Sequence, residues 1–328
     1  MDSRKPLDAL AIGLMLVLCL AWSLQQIALK ATAADFSPIL QIAVRSGIAA
    51  ALVGLLMAAR GERLTWADGS WRPGLVVGGL FALEYLLLGE GLRYTSAAHV
   101  VVFLYTAPLF AAVGLHWKLP SERLAPAQWG GILLAFAGIA VVFLGREAPA
   151  PQQATTPGGE GALASILWGD TLALLAGLAW GATTVVLRTT RLAALPATQT
   201  LLYQLLGAFV LLLGAAVVLG QTTFHPTPLV WASLAFQSVL VSFVSFLVWF
   251  WMLRHYLASR LGVFSFMTPL FGIVLGAWLL KEAIEPSFLA GALLVLAGIV
   301  VVSGYAWVRQ WANPGKSVPC ASIPKKTS

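Results

Sequence analysis

The sequence predicts an all-α polytopic membrane protein with ten transmembrane helices, arranged as two inverted five-helix repeats. The composition, the number of apolar segments and an internal repeat lead to this prediction. Of the 328 residues, 59% are hydrophobic and only 10% are charged, whereas a soluble domain is about 25% charged. This composition excludes a soluble globular fold and a disordered chain. Cys19 and Cys320 lie in an apolar run and a basic tail, which excludes a disulfide scaffold.

Ten apolar runs are long enough to cross a bilayer, which takes about 20 mostly apolar residues in a helix. They show no strand-like alternation and are about twice as long as a barrel strand, so an outer-membrane barrel is excluded. The first run lacks a small-residue cleavage site and is interpreted as an uncleaved helix. The predicted spans are residues 8–29, 38–59, 73–92, 96–117, 127–144, 165–187, 197–219, 229–253, 259–280 and 286–308.

The lysines and arginines between the spans predict the orientation of the chain. With the N-terminus inside, 15 of the 20 basic residues lie in inside segments, four lie in outside segments and Arg45 lies in a span. By the positive-inside rule, both termini are cytoplasmic. Residues 146–164 then form an external linker, and residues 309–328 form a basic cytoplasmic tail near anionic lipid. The net charge of +7 thus reflects topology, and no nucleic-acid partner is expected.

The chain repeats itself at a shift of about 160 residues. Matching motifs occur in the same order in both halves: Leu-Ala-Trp at 20–22 and 178–180, Pro-Leu-Phe at 108–110 and 269–271, and Ala-Gly-Ile at 137–139 and 297–299. The repeated units are residues 8–145 and 165–308. Each has five spans, an odd number, so the second unit enters the membrane in the opposite orientation. Inverted repeats are the architecture of many secondary transporters; the alternative is an old duplication that only fills a helical bundle.

The repeated positions resemble the drug/metabolite transporter superfamily, and each half looks like one EamA-type unit. The residues that carry the resemblance are Trp22 and Trp180 in the first helices, Pro108 and Pro269 in the fourth, and Glu122 with Pro126 and Glu282 with Pro286 at the start of the fifth. The resemblance covers residues 8–308. Length, the single long linker and aromatic content are similar to those of the YddG-type aromatic amino-acid exporters. The resemblance implies a ten-helix transporter of the bacterial inner membrane that exports small metabolites such as aromatic amino acids.

Two ionisable residues inside the spans, Arg45 and Glu84, are candidates for a binding site because charges in a membrane are costly. At 1.5 Å per helical residue they lie roughly 10 and 12 Å below the outer surface, so their side chains are predicted to meet. In one interpretation, Arg45 holds a substrate carboxylate while Glu84 attracts its ammonium group. In the other, they form a buried structural ion pair. Their counterparts in the second half are Tyr203 and Ser245, so the repeat does not preserve the charges.

Polar and aromatic side chains on neighbouring helices complete the predicted pocket for an amino acid or similar small metabolite. Such a site combines rings that stack on apolar groups with a few polar anchors. The predicted substrate-binding residues are Trp22, Gln26, Arg45, Glu84, His99, Phe103, Thr106, Trp180, Tyr203, Ser242, Ser245 and Trp249. Two alternatives stay open: the serines also suit close helix packing with bonds to backbone carbonyls, and His99 also suits the outer rim of the membrane.

Pro108 and Pro269 occupy matched positions in the fourth and ninth spans. Proline removes a helix hydrogen bond and bends the axis. The pair is therefore predicted either to hinge the two halves or to fix bends in the bundle. Glycines at seven-residue spacing in the fifth and tenth spans, and GxxxG pairs in other spans, predict close helix packing.

The sequence contains no recognisable motif for catalysis, a metal or a cofactor. Walker A, H-E-x-x-H and C-x-x-C motifs are absent from it, so no cofactor or metal is expected and the protein is not predicted to be an enzyme. The expected partners are a small-molecule substrate and the lipid bilayer, and the oligomeric state stays open. The alternatives are an exporter of a drug-like or nucleotide-sugar-like metabolite, an intramembrane enzyme, a membrane receptor and a channel.

Overall fold

The protein is helical throughout the part that the structure describes. The computed structural model describes residues 8–62, 64, 69–120, 123–144, 159–256, 265 and 267–312. Within these ranges, the only extended pairing is an isolated bridge between Phe36 and Phe224. The predicted all-α architecture is confirmed.

The first half contains α1 (Ala9–Ala31), α2 (Pro38–Ala59), α3 (Trp71–Tyr94), α4 (Ala97–Leu104), α5 (Ala107–Lys118) and α6 (Pro126–Leu144). The second half contains α7 (Gly159–Thr189), α8 (Ala197–Val218), α9 (Pro228–Ala235), α10 (Phe246–His255), α11 (Met267–Leu279) and α12 (Pro286–Ala312). A π-helix, Phe236–Ser245, joins α9 to α10, and a short 3-10 helix, Arg191–Ala194, precedes α8.

These helices account for the ten predicted spans. Seven segments of the described chain are long and apolar enough to cross a membrane, and three shorter helices are apolar as well. The seven are α1, α2, α3, the α4–α5 segment, α7, α8 and the segment Pro228–Trp249; the three lie in α6, α11 and α12. The predicted boundaries agree with the observed ones to within a few residues, except at the start of α7, and the ninth span is described from residue 267 onward.

The fourth span is interrupted between α4 and α5. Helix α4 ends at Leu104, and α5 restarts at Ala107 with Pro108 in its first turn. A proline in the first turn costs no helix hydrogen bond, because the N–H that it lacks has no partner there. The helix of the fourth span is thus interrupted just before Pro108. Pro269 lies in the first turn of α11, and residues 257–264 and 266 before it lie outside the described residues.

The linker and the tail differ from their predicted bounds. Helix α7 begins at Gly159, inside the segment 146–164 that was predicted to be a linker. The C-terminal part of that segment is therefore helical, and residues 146–158 lie outside the described residues. Helix α12 runs to Ala312, into the predicted tail 309–328, of which residues 313–328 are not described.

The eighth span changes its winding in the middle. The regular helix expected there gives way to the π-helix over Phe236–Ser245. π-helices are rare and occur frequently at functional sites. Ser238, Ser242 and Ser245 are all buried in it. The three serines of the predicted face are therefore buried on a π-helix and not on an α-helix.

The fifth and tenth spans, α6 and α12, pack backbone to backbone through glycines. A Cβ atom added to Gly131 would lie 2.8 Å from the carbonyl oxygen of Gly298, and one added to Gly138 would lie 2.6 Å from that of Gly291. The two pairs show that α6 and α12 run antiparallel, which is the arrangement expected of equivalent helices in two inverted repeats. The close packing predicted from the glycine spacing is confirmed within one chain.

Contacts between the halves also occur in equivalent pairs. Helix α1 packs on α11, where Ser23 Oγ donates a 2.6 Å hydrogen bond to the carbonyl oxygen of Thr268. Its counterpart α7 packs on α4 and α5, where Gly177 lies against the carbonyl oxygen of Phe103. Each first helix therefore packs on the fourth span of the opposite half.

Large apolar side chains cover the outside of the bundle. Leu133, Val218 and Trp278 are 69%, 84% and 66% exposed. A soluble protein rarely exposes contiguous apolar surface of this kind, so the outer face of the helices is suited to contact lipid.

Candidate functional site

Arg45 on α2 and Glu84 on α3 are both buried, at 2% and 4% exposed. Within the part of the chain that the structure describes, they form no direct ion pair with each other. Instead, Arg45 Nη1 donates a 2.9 Å hydrogen bond to Gln237 Oε1, and the guanidinium carbon lies 4.6 Å from the ring centroid of Tyr85. The structure places both ionisable side chains in the interior without the direct contact that a structural ion pair requires.

Buried polar atoms without hydrogen-bond partners lie on the helices around this pair. Among the described residues they include Arg45 Nε, Glu84 Oε2, Gln26 Oε1 and Ser238 Oγ. An unpartnered buried polar group costs about 1–3 kcal/mol. A polar ligand that bonds to these atoms would recover that free energy. Helices α1, α2 and α3 and the π-helix therefore each carry a buried polar atom that has no hydrogen-bond partner among the described residues.

Two tryptophans at equivalent positions of the repeat, Trp22 and Trp180, each meet another ring edge-on. The ring centroids of Trp22 and Trp249 are 5.6 Å apart, and those of Trp180 and Tyr105 are 5.3 Å apart. Trp22 Nε1 also donates a 2.9 Å hydrogen bond to Ser245 Oγ. The structure thus brings three predicted residues together where α1 meets the eighth span: Trp22, Ser245 and Trp249.

Phe103 and Thr106 lie at the break between α4 and α5. Thr106 Oγ1 donates a 2.6 Å hydrogen bond to the carbonyl oxygen of Phe103. A Cβ atom at Gly177 of α7 would lie 2.8 Å from both of these oxygen atoms. The Thr106 hydroxyl is therefore bonded to the backbone at a close helix contact. Ser242 is buried on the π-helix.

Tyr203 does not join Arg45 and Glu84. Its ring packs on Gly74 near the start of α3, where an added Cβ atom would lie 2.9 Å from it. Gly74 precedes Glu84 by about 15 Å along the helix, at 1.5 Å per residue. Inverted repeats explain this placement, because they put equivalent residues on opposite sides of the midplane. Tyr203, the counterpart of Arg45, therefore lies away from the charged pair.

His99 belongs to a network at the C-terminal end of α3. Its Nδ1 atom lies 2.9 Å from Asp170 Oδ1, and its ring stacks on Phe288 with the centroids 3.9 Å apart. Thr95, which follows α3, donates a 2.6 Å hydrogen bond to the same carboxylate oxygen. The network ties the α3–α4 connection to α7. The structure thus places His99 among helix ends and not beside Arg45.

Two charged side chains outside the predicted site hold the same end of the bundle together. Lys30 Nζ donates hydrogen bonds of 2.5 and 2.7 Å to the carbonyl oxygens of Leu92 and Thr95. The Glu282 carboxylate accepts hydrogen bonds of 2.7 and 3.2 Å from the first two backbone N–H groups of α4. An acidic group at a helix N-terminus is stabilising. These contacts close the α3–α4 end against α1 and the loop before α12.

Sequence reasoning missed Gln237 and Tyr85, the two residues that contact the Arg45 guanidinium. The sequence signal for Gln237 is a polar residue in the middle of an apolar span. The structure shows that its side chain is fully buried. Tyr85 follows Glu84 in the chain and carries no comparable signal. Among the residues that the structure describes, no three His, Cys, Asp or Glu side chains are placed to hold a metal ion.

Most of the chain matches a known family. Residues 9–144 and residues 167–304 each match the model of the EamA-like transporter family. The chain belongs to the EamA-like transporter family. It is accordingly a membrane transporter and not an enzyme, and the intramembrane-enzyme alternative is set aside.

Relatives of this EamA-family protein are of similar length. It is 26% identical over 285 residues to the uncharacterized transporter YoaV of Bacillus subtilis, which covers 85% of this chain and 92% of YoaV. It is 27% identical over 297 residues to an uncharacterized transporter of Archaeoglobus fulgidus, covering 86% and 94% of the two chains. One crystal structure of a protein that is 22% identical superposes with a TM-score of 0.62 over 93% of this chain and all (100%) of the other. That likeness shows a shared fold.

Proposed function

We propose that this EamA-family transporter exports a small zwitterionic and largely apolar metabolite, of the class of apolar and aromatic amino acids, across the inner membrane by alternating access. The observation that carries the proposal is the arrangement of Arg45 and Glu84, which are buried and, among the described residues, not paired with each other. An amino acid bears a carboxylate and an ammonium group on one carbon atom, so it offers the opposite charge to each of them.

The guanidinium group of Arg45 has the geometry and an available N–H donor to bind a carboxylate. Its planar fork of N–H donors matches carboxylate geometry. One donor is used by Gln237, while Nε has no partner in the described part of the chain. Contact with the Tyr85 ring restricts the orientation of the guanidinium plane. Glu84 Oε2, which also lacks a described partner, is an acceptor for the ammonium group.

The tryptophans supply apolar surface for the rest of the substrate. Trp22 with Trp249, and Trp180 with Tyr105, form edge-to-face pairs on helices that belong to both halves. Aromatic rings favour further edge or offset contacts with another ring. Together with the charged pair, they favour an amino acid with an apolar or aromatic side chain.

Counterflow in proteoliposomes tests the proposal. Vesicles loaded with one unlabelled candidate and diluted into labelled L-phenylalanine should accumulate label transiently and saturably when the candidate is an apolar or aromatic amino acid. The panel is run with and without a pH gradient, and protein-free vesicles are the control. In parallel vesicles a labelled drug-like compound or nucleotide sugar replaces phenylalanine, and counterflow of those labels alone would reassign the substrate. Flux that does not saturate would indicate a channel, and no flux with any candidate would contradict the proposal.

Cysteine labelling tests the proposed orientation. Ser3→Cys and Gln152→Cys, each in a Cys19→Ser, Cys320→Ser background, should react with a membrane-impermeant maleimide from opposite sides of the membrane. The physical reason is the excess of basic residues in the segments assigned to the inside. Labelling of both positions from the same side would contradict the inverted repeat.

Replacing Pro108 or Pro269 with alanine tests whether these prolines act as hinges. Each variant should exchange substrate more slowly, by about 2- to 10-fold, because a continuous helix resists bending at that point. Equilibrium binding should change less than exchange. Pro286→Ala, at the exposed first residue of α12, is the matched control. Normal exchange in both variants would mean that the prolines only shape the bundle.

A further inference from the structure

The hydrogen-bond partners of Arg45 form a regular ladder between the two halves of the protein. Gln41 and Arg45 are four residues apart on α2, and Ser233 and Gln237 are four residues apart on the eighth span. Gln41 Nε2 donates to Ser233 Oγ at 2.7 Å, and Arg45 Nη1 donates to Gln237 Oε1 at 2.9 Å. Because α2 belongs to the first half and the eighth span to the second, the ladder crosses the interface between them.

The ladder fixes which end of the Gln237 amide faces Arg45. Gln237 Nε2 donates a 2.9 Å hydrogen bond to Ser233 Oγ, which leaves Oε1 for the guanidinium group. Gln41 Nε2 donates to Ser233, and Gln41 Oε1 lies 3.0 Å from Thr32 Oγ1, whose proton it shares with the carbonyl oxygen of Ala28 at 2.7 Å. All five side chains are buried, and a hydrogen bond in a buried, low-dielectric environment is stronger than one in water.

We propose that Gln237 positions Arg45 for a carboxylate and keeps it selective for one, an inference that rests on the proposed function. An amide oxygen accepts a hydrogen bond without carrying net charge, so Gln237 orients the guanidinium group and leaves its positive charge available. A carboxylate at the same place would form a charge-assisted pair with Arg45 and compete with the substrate. Gln237 is thus a positioning residue that acts through Arg45.

Gln237→Glu tests this inference because it keeps the side-chain length and adds only a charge. Binding is measured by the change in tryptophan fluorescence of the purified full chain. The variant should bind L-phenylalanine about 10- to 100-fold more weakly than the wild type. Its affinity for L-phenylalaninamide, which has no carboxylate, should not fall. Gln237→Met, which removes the acceptor without adding charge, should weaken phenylalanine binding about 2- to 10-fold and leave the amide unchanged.

Two controls separate positioning from a general loss of structure. Gln199→Glu places a carboxylate at a buried position of α8 and should change the affinities for both ligands by the same factor. In an Arg45→Gln background, Gln237→Glu should have no further effect on phenylalanine binding, because it acts through Arg45. If both Gln237 variants keep the wild-type preference for phenylalanine over its amide, the inference is wrong. If the wild type itself has no such preference, the proposed function fails instead.

A second inference rests on two hydroxyl–carboxylate contacts at equivalent places of the repeat. Thr95 follows α3 and donates to Asp170 of α7 at 2.6 Å. Tyr256 follows α10 and donates to Asp8, the N-cap of α1, at 3.1 Å. Thr95 and Tyr256 are 161 residues apart, which is the shift of the repeat. Each contact therefore joins the end of the third span in one half to the first helix of the other half.

We infer that these contacts are two latches, one at each mouth of the transporter, that open in turn, an inference that rests on the proposed alternating access. In inverted repeats the third spans end on opposite sides of the membrane, so the two contacts lie at opposite ends of the bundle. Moving α3 away from α7 breaks the Thr95–Asp170 contact and leaves the Tyr256–Asp8 contact intact. Moving α10 away from α1 breaks the Tyr256–Asp8 contact and leaves the Thr95–Asp170 contact intact. Both contacts are formed in this structure.

Thr95→Val and Tyr256→Phe test the latches because each removes one hydroxyl group and little else. The reporter is Ser242→Cys on the π-helix, in a Cys19→Ser, Cys320→Ser background, labelled with an impermeant maleimide in vesicles of either orientation. Thr95→Val should raise the labelling rate about tenfold from the side on which α3 ends. Tyr256→Phe should raise it by a similar factor from the other side.

Thr171→Val is the matched control for the first latch. Thr171 is the neighbour of Asp170, and its hydroxyl group donates to the carbonyl oxygen of Leu167 within α7. Labelling of this variant should equal that of the reporter alone. Rates that do not change in either latch variant, or that rise on the same side in both, would overturn the inference. Neither outcome depends on which substrate is carried.

Discussion

Replacing Arg45 with glutamine should weaken the binding of L-phenylalanine by about 10- to 100-fold, the factor expected when a hydrogen bond to a charged group is lost. The amide of the same amino acid has no carboxylate to lose, so its affinity should stay within about twofold. Titration of the purified variant, followed by tryptophan fluorescence, measures both affinities. The physical reason is that the buried guanidinium group has an unpartnered Nε among the described residues and makes no direct ion pair with Glu84.

Glu84→Gln is the complementary variant. It should weaken phenylalanine binding by a similar factor and leave the affinity for 3-phenylpropionate, which lacks the ammonium group, nearly unchanged. Each substitution thus has its own unaffected ligand, which serves as the internal control. If both variants give less folded protein but keep the wild-type ratios of affinities, Arg45 and Glu84 have a structural role and the substrate is recognised elsewhere.

Replacing Gly138 with alanine should cost about 1–3 kcal/mol of stability, because the added methyl group would overlap the backbone of the facing helix. Its Cβ atom would lie 2.6 Å from the carbonyl oxygen of Gly291 and 2.7 Å from the amide nitrogen of Val295. Backbone atoms of α12 cannot rotate out of the way as a flexible side chain can. The midpoint of thermal unfolding in detergent should fall by several degrees.

Gly130→Ala is the matched control on the same helix. No atom lies within 4 Å of the position that its Cβ would take, and alanine favours a helix over glycine by about 1 kcal/mol. This variant should unfold at the wild-type temperature or above it. Equal unfolding temperatures for Gly138→Ala and the wild type would show that α6 and α12 are not held at close range by their glycines.

Apolar run length and the repeat predicted most of the architecture. The ten spans follow from segments of about 20 apolar residues, and the break before α5 follows from Pro108, because proline cannot continue a helix hydrogen-bond ladder. The winding of the eighth span was not predictable in the same way. Residues 236–245 contain no glycine or proline, and their polarity fits an α-helix as well as the π-helix that forms.

The site could be predicted only in part. Arg45 and Glu84 are identifiable because charges inside apolar spans are rare. Gln237 binds Arg45 from the opposite half, and no local pattern in either helix encodes that contact. The equivalence of Tyr203 with Arg45 was a poor guide to a shared pocket, because inversion separates equivalent residues across the midplane.

Counterflow with four related ligands tests most directly whether Arg45 and Glu84 recognise the two ends of a zwitterion. Wild-type vesicles are loaded in turn with L-phenylalanine, L-phenylalaninamide, phenethylamine or 3-phenylpropionate and diluted into labelled L-phenylalanine. Phenylalanine should drive accumulation of label, and each analogue with a single charge should drive less than about a tenth of it, since each lacks one charge-assisted contact. Equal counterflow with phenethylamine or 3-phenylpropionate would contradict recognition of both charges by this pair.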